Sequence, residues 1–423
     1  MTIWVASHAS AAGSENEIDT LYNQVTQARE QGQMDRADEL AQQLVSKAEQ
    51  SDNPLFQGRA FFALARNHME RNEYSLAQDY LNRSITIFQD AKQRKWLADS
   101  YRQLGLTYRY QTDYPQALSY IYLSMQIYQQ LNDLVSIGNT YNSIGLVLEK
   151  MGQFEEALQA HQKSLEIDYQ LDDSGGIATG IYNLGDLYRV MGDHEKALEF
   201  FQDALKMDTE RNNPKDMAYS HNKVGYMLSH LGKHEDGRTH ILEAIRLFKQ
   251  IQAPRDTDWA LSSMAQVDIN TGNYDSAYAQ LLEILERARA GQYRSLELDA
   301  LGMLADVSFK QERYAEALNY IERGLELARL NNELRDEALL EAQRSEVYLR
   351  LDEVQNAFES LKRKQALDDK LLNEKRVAAI AAMQAQTEFV KNEHRTPCWK
   401  RRGHCRMFSW KDNSISENGL SLA

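Results

Sequence analysis

Cysteine is almost missing from this chain of 423 residues: there are two, Cys398 and Cys405, and both lie near the carboxyl end. The long stretch before them cannot be stapled by disulfides, and no thiolate can serve there as a nucleophile or metal ligand. Proline is scarce as well, with Pro54, Pro115, Pro214, Pro254 and Pro397 the full set. A proline inside a helix costs about 3 kcal/mol, so this spacing leaves room for long uninterrupted helices. Nowhere is there a run of the roughly eighteen apolar residues needed to cross a bilayer, so the chain as written does not insert into a membrane. Basic charge is in deficit, 48 Lys and Arg against 62 Asp and Glu for a net charge of -14. The segment after Glu393 is basic, which makes the remainder more acidic still. Neutralising phosphates takes clustered Lys and Arg, so nucleic acid and anionic membrane surfaces are poor partners for this body.

Catalytic motifs are lacking too. There is no glycine-rich phosphate loop, no His-Glu-x-x-His, no nucleophile elbow and no GGDEF-like sequence. His230 and His234 stand four apart, but they straddle a predicted junction between helices and do not share a face. His161 and His221 are isolated and read as packing or surface polar groups. Cys398, His404 and Cys405 match no zinc-ligand spacing. The expectation is a protein that is not an enzyme and carries no catalytic residue, cofactor or metal.

What the chain does have is repetition. Alanine recurs every forty residues at Ala37, Ala77, Ala117, Ala157, Ala197, Ala277, Ala317 and Ala357, with Gly237 standing in once. Twelve residues before each lies a second column, Val25, Ala65, Gly105, Gly145, Gly185, Gly225, Ala265, Ala305 and Ser345, with no insertion or deletion. Small residues at fixed spacing are needed where two helix axes approach closely, and a period of this length is the mark of a solenoid. Between the columns runs a breaker position, Gly32, Asn72, Thr112, Gly152, Gly192, Gly232 and Gly272, which suits a turn of three to four residues between helix A and helix B. Acids at Glu155, Glu195, Glu235 and Asp275 follow it and complement the amino-terminal dipole of helix B. Pro54, Pro214 and Pro254 share one column at the junction between repeats, and Pro115 sits near the start of a helix B.

With Leu184, Gly185, Tyr188, Ala197, Phe201 and Ala204 in the fifth unit, and Leu104, Gly105, Tyr108 and Ala117 in the third, the chain resembles the tetratricopeptide repeat family. Its period exceeds the family's usual thirty-four residues, as in the forty-residue variants of kinesin light chains and bacterial regulators. The resemblance implies an all-α fold, a right-handed superhelical solenoid of about nine helix-turn-helix units whose A helices line the inner surface. It also implies recognition of a protein or peptide in that concave groove.

Inner-face residues fall at fixed offsets from the small column. Arg102, Asn142, Tyr182 and Asn222 stand three before it, Asn183 and Lys223 two before, Asp186, Tyr226 and Asp306 one after, and Arg109, Glu149 and Arg189 four after. An amide both donates and accepts, matching a peptide unit, and arginines receive carboxylates. Arg102, Arg109, Asn142, Tyr182, Asn183, Arg189, Asn222 and Tyr226 are therefore the candidate groove residues; the alternative is that they are solvated residues on a wide inner surface.

Four segments emerge: a leader at 1–17, the repeats at 18–369, a further helix at 370–393 and a tail at 394–423 expected to be disordered. Ile3 to Ala6 followed by small residues reads as a signal-peptide remnant, which implies a periplasmic protein; as an ordinary leader it implies a cytoplasmic one. The 370–393 helix carries Arg376, Ile380, Met383, Thr387 and Val390 near a heptad seam. It reads either as a cap on the last repeat or as a signalling helix and route to self-association. The tail, with Trp399 to Arg402 against an acidic predecessor, reads as a frameshift or truncation product or as a plain extension. Two functions follow: a non-catalytic scaffold that binds a protein or peptide, or the sensory part of a bacterial signal transducer, of diguanylate cyclase or histidine kinase type, whose output module is missing.

Overall fold

The computed structural model describes residues 17–371, apart from residues 30, 32, 52, 292, 331 and 332. The expectations for the leader, for 372–393 and for the tail lie outside the described residues, as does Gly32.

Within them the chain forms 18 helices and no strand. The A helices are α1 (17–29), α3 (Pro54–Glu70), α5 (Arg94–Tyr110), α7 (Leu134–Lys150), α9 (Ser174–Met191), α11 (Pro214–His230), α13 (Pro254–Asn270), α15 (Arg294–Lys310) and α17 (Leu334–Arg350). The B helices are α2 (Met34–Glu49), α4 (Tyr74–Asp90), α6 (Tyr114–Leu131), α8 (Phe154–Gln170), α10 (His194–Glu210), α12 (His234–Gln250), α14 (Tyr274–Ala290), α16 (Tyr314–Leu330) and α18 (354–371). Each packs on its predecessor and its successor, so the molecule is a solenoid of helical hairpins.

The forty-residue period has a simple origin: helices of 17 residues, as in α3, α4 and α5, are each followed by a turn of three. The middle residue of the turn is left-handed at Asn72, Lys92, Thr112, Asn132, Gly152 and Asp172, a twenty-residue rhythm that continues to Asp352. Around Gly192 the pattern is a Schellman cap, with the Asp193 amide donating to the Tyr188 carbonyl and the Gly192 amide to the Arg189 carbonyl. The third turn residue starts the next helix. Asp113, Asp133, Asp173 and Asp193 accept from backbone amides there, and Asn53 and Asn213 do so ahead of Pro54 and Pro214.

The two small columns meet as their chemistry requires. A methyl group on Gly105 would stand 2.8 Å from the Ala117 carbonyl oxygen, and one on Gly225 would stand 2.6 Å from that of Gly237. Helix A and helix B thus touch backbone to backbone within a repeat. Around this contact, apolar side chains of helix B such as Ile121, Phe201, Ile241, Leu281 and Ile321 fill the core and are wholly buried.

Candidate functional site

Successive A helices touch one another directly: α3 with α5, α5 with α7, α11 with α13, α13 with α15 and α15 with α17. No two successive B helices between α2 and α16 pack as closely, so the ribbon curls with the A helices inside. α9 is the exception among the A helices from α3 to α17, standing further from α7 and from α11. Polar side chains bridge the gaps on both sides of it. Asn183 Nδ2 donates to Asn142 Oδ1 at 2.7 Å across the first, and Lys223 Nζ to Asp186 Oδ1 at 2.8 Å across the second.

The amide bridge is anchored from beneath. His161, on α8, is fully buried, and its Nδ1 lies 3.1 Å from the same Asn142 oxygen. Burial pushes the imidazole down to about 4, so it is neutral near pH 7. With Asn142 Oδ1 also accepting from Asn183, the single ring proton belongs on Nδ1; Nε2 is buried without a partner. The two amides are thereby fixed in one orientation. Asn142 Nδ2 and Asn183 Oδ1, one donor and one acceptor, make no hydrogen bond within the described chain and are not buried. Gly145 makes room for this arrangement, since a methyl group there would stand 2.6 Å from the His161 ring.

Beside the amides lies a charged cluster. Arg189 Nε donates to Asp186 Oδ1 at 2.7 Å, the atom that Lys223 also contacts. Burial works against ionising Asp186, yet Lys223 and Arg189 outweigh it and hold its carboxyl below the usual range. Burial lowers the Lys223 ammonium, and Asp186 offsets this only in part. Glu149 is buried at the edge of the cluster, and that burial raises its carboxyl. Tyr182 packs edge-on against Phe201 at 5.3 Å, with its hydroxyl pushed well above 10 by burial. Tyr226 lies against His230, ring centroids 4.5 Å apart.

Towards the amino-terminal repeats the inner face carries arginines, with Asp99 among them. The Nε atoms of Arg59, Arg102 and Arg109 are all buried without a hydrogen-bond partner. Arg109 stacks its guanidinium 4.4 Å above the Tyr110 ring, and Arg59 also reaches Asp19 at 2.5 Å. Arg59 is thereby paired already, whereas a desolvated guanidinium such as that of Arg109 favours an arriving carboxylate.

Of the eight candidates, Asn142, Tyr182, Asn183, Arg189 and Tyr226 come together across α7, α9 and α11, and Arg102 and Arg109 stand on α5. Asn222 requires a correction. It is 1% exposed and donates Nδ2 to Ser263 at 3.1 Å, because α13 lies close enough to α11 to cover it. Its Oδ1 is orphaned, but the residue faces its neighbour instead of the groove. His161 and Arg59 are additions. His161 was visible in the sequence as a lone polar residue in a column otherwise filled by Leu81, Ile121, Phe201, Ile241, Leu281 and Ile321. Among the described residues, no group of three or more His, Cys, Asp or Glu is placed to hold a metal ion, and no helix is long and apolar enough to cross a membrane.

An all-α solenoid of helical hairpins, with its A helices on the inner side, defines the class. Two models described as tetratricopeptide repeat match the chain, one at residues 96–170 and 136–210 and a second at 298–330. Among curated proteins no sequence matches it. Several solved structures share the fold. A Rap protein complexed with Competence and Sporulation Factor aligns over 85% of this chain and 99% of its own at 16% identity, with a TM-score of 0.59. The Rap conjugation gene regulator of plasmid pLS20, in complex with the Phr* peptide, covers 84% and 96% at 14% identity and a TM-score of 0.50. A signal transduction ATPase with numerous domains from Pyrococcus horikoshii, which has a tetratricopeptide repeat sensor, covers 84% of this chain and 50% of its own at 20% identity and a TM-score of 0.52.

Proposed function

We propose that the chain captures an extended peptide segment along the inner face of its A helices, with the Asn142–Asn183 pair as the backbone clamp. The observation that carries this reading is the pairing itself. A solvent-facing amide donor and a solvent-facing amide acceptor sit side by side, held in one orientation by a buried histidine. A peptide unit offers the complementary acceptor and donor, and a clamp already ordered before binding loses less side-chain entropy than a mobile one. Arg102 and Arg109 receive carboxylates of the segment, Arg189 with Asp186 supplies a polar wall, and Tyr182 and Tyr226 give apolar surface. That Rap-type solenoids of this fold have been solved with bound factors, one of them the Phr* peptide, supports the reading.

The test starts from peptides selected by display on the full chain, with affinities measured by fluorescence polarisation. Replacing Asn183 and Arg189 together by Ala, or Asn142 by Ala, is expected to weaken the selected peptide at least tenfold while leaving the circular dichroism melt in place. Affinity unchanged in both variants refutes the placement. A second reading makes the same groove the ligand-receiving part of a bacterial signal transducer. The heptad-like spacing of Ile380, Met383, Thr387 and Val390 and the change of composition after His394 favour it.

A further inference from the structure

The last described helix, α18, leaves an apolar stripe uncovered. Val354, Phe358 and Leu361 follow one another at i, i+4 and i+7 on one face of it and are 63%, 59% and 48% exposed. In earlier B helices the same columns are closed. Leu81, Ile121, Phe201, Ile241, Leu281 and Ile321 share the column of Leu361 and are wholly buried, and Leu118 and Leu198 share that of Phe358 and are buried too. The A helix of the following repeat takes part in the closure: Leu118 shares a core with Ile144 and Leu148 of α7, and Leu198 shares one with Val224 and Leu228 of α11. Among the described residues α18 has no such successor. A stripe of this kind at the end of a solenoid is the surface that a terminal unit has to hide.

The sequence beyond α18 keeps the register of the repeat. Helices start twenty residues apart along the array, which places the next A helix at 374–390. Asn373 falls in the column of Asn53 and Asn213, the caps of α3 and α11, and Ala378 and Ala385 continue the columns of Ala338 and Ser345. Contacts between earlier repeats then name the residues that would face α18. Tyr74 stacks on Tyr110 at 5.2 Å and His194 on His230 at 5.4 Å, and these two columns continue as Val354 and Val390. Asp38 accepts from Asn67 at 2.9 Å, and their columns continue as Phe358 and Thr387. Phe88 packs on Trp96 at 5.6 Å, and there the columns continue as the opposite charges Asp368 and Arg376. A methyl group on Gly180 would stand 3.1 Å from Leu165, in the columns of Ile380 and Gln365. Arg376, Ile380, Thr387 and Val390 are four of the five residues of the heptad-like seam.

We propose that residues 374–390 form a tenth A helix that packs on Val354, Phe358 and Leu361 of α18 and closes the array. The seam thereby has its partner inside the chain, in the helix directly before it, instead of in a second copy. The connection is short enough: α6 also runs 18 residues, and Asn132 and Asp133 turn it into α7. The cover is thinner than in the interior, since Gln384 and Glu388 take the columns of Ile144 and Leu148, so α18 remains the least supported B helix. The inner face gains one helix, with Gln386 and Phe389 at the offsets of Asp186 and Arg189.

The test uses the full chain with Cys398→Ser and Cys405→Ser, which remove its own thiols. Val354→Cys and Val390→Cys are added together, and the protein is treated with a short bis-maleimide. The expected result is an intramolecular link in most molecules, read as a monomer of shifted mobility whose yield is unchanged on dilution. Val354→Cys with Ala381→Cys, nine residues or about 13 Å of helix before Val390, is expected to link at least tenfold less. Hydrogen exchange of the parent chain gives a readout without cysteine variants: exchange across 374–390 is expected at least tenfold slower than in an unfolded chain, and Phe358→Glu is expected to speed it. Linked dimers that disappear on dilution assign the stripe to a second copy and overturn the proposal. Absence of a link, equal linking of the two pairs, or exchange across 374–390 indifferent to Phe358→Glu overturns it as well.

Discussion

The Asp299 carboxyl, on α15, is a group whose ionisation the fold opposes. Its ordinary value is 3.8 and its folded value about 6, so the fold prefers the protonated acid. The stability this group contributes is complete below the unfolded value and is lost as pH rises through 6. Asp299 is more than a third exposed, so solvent screens most of the effect, and Asp299→Asn is expected to stabilise the protein at pH 7 by less than about 1 kcal/mol and to lose that advantage below about pH 4, read from urea midpoints across the pH range. His161 runs the other way. Its folded value of about 4 lies below the ordinary 6.5, so the neutral ring stabilises the fold above 6.5 and that contribution is lost as pH falls through 4. His161→Ile restores the residue type of the neighbouring repeats. The expected outcome is equal or greater stability at pH 7, a flatter acid limb, and peptide affinity lowered at least fivefold because Asn142 is no longer held. Unchanged affinity would separate the histidine from the clamp. The candidate positions were legible in the sequence as offsets from a small-residue column; the directions of their side chains were not. Asn222 shares an offset with Asn142, yet Ser263 of the next repeat takes its amide, a contact between residues 41 apart that no local pattern carries.

Helices and turns were the most readable layer, because their cause is local. Alanine and glycine columns twelve apart name the packed pair, and Gly152, Gly192, Gly232 and Gly272 name the turn within it. The turn between repeats is less legible, since its left-handed residues are the mixed set Lys92, Asn132, Asp172, Asn212 and Gln252, of which the asparagines alone carry a strong signature. Here the neighbouring helices impose the conformation against the residue's own preference, at a cost of order 1–2 kcal/mol for an ordinary side chain. Thr112, β-branched and at φ 63°, bears that cost within a repeat. Thr112→Gly is expected to stabilise the chain by about 1 kcal/mol. Gly192→Ala, at φ 86° with open space around it, is expected to destabilise by a similar amount through backbone strain alone. Urea unfolding followed by circular dichroism measures both, and a Thr112→Gly variant no more stable than the parent would contradict the strain argument.

The assembled solenoid is quasi-one-dimensional, with each hairpin resting on its two neighbours. Hydrogen exchange should therefore be fastest in α1 and α18, which have a neighbour on one side among the described repeats, and slowest in the central hairpins; uniform protection would argue for a globally cooperative body. Curvature itself follows from A helices touching where B helices do not, and it turns a set of similar inner-face positions into one continuous surface. Peptide capture by this inner surface is the claim on which the rest depends. Its most direct test is hydrogen exchange of the full chain with and without a display-selected peptide at saturation. Slowed exchange concentrated in α5, α7, α9 and α11, with the outer B helices unchanged, is the predicted result; protection confined to the B helices or to the ends of the array would contradict it.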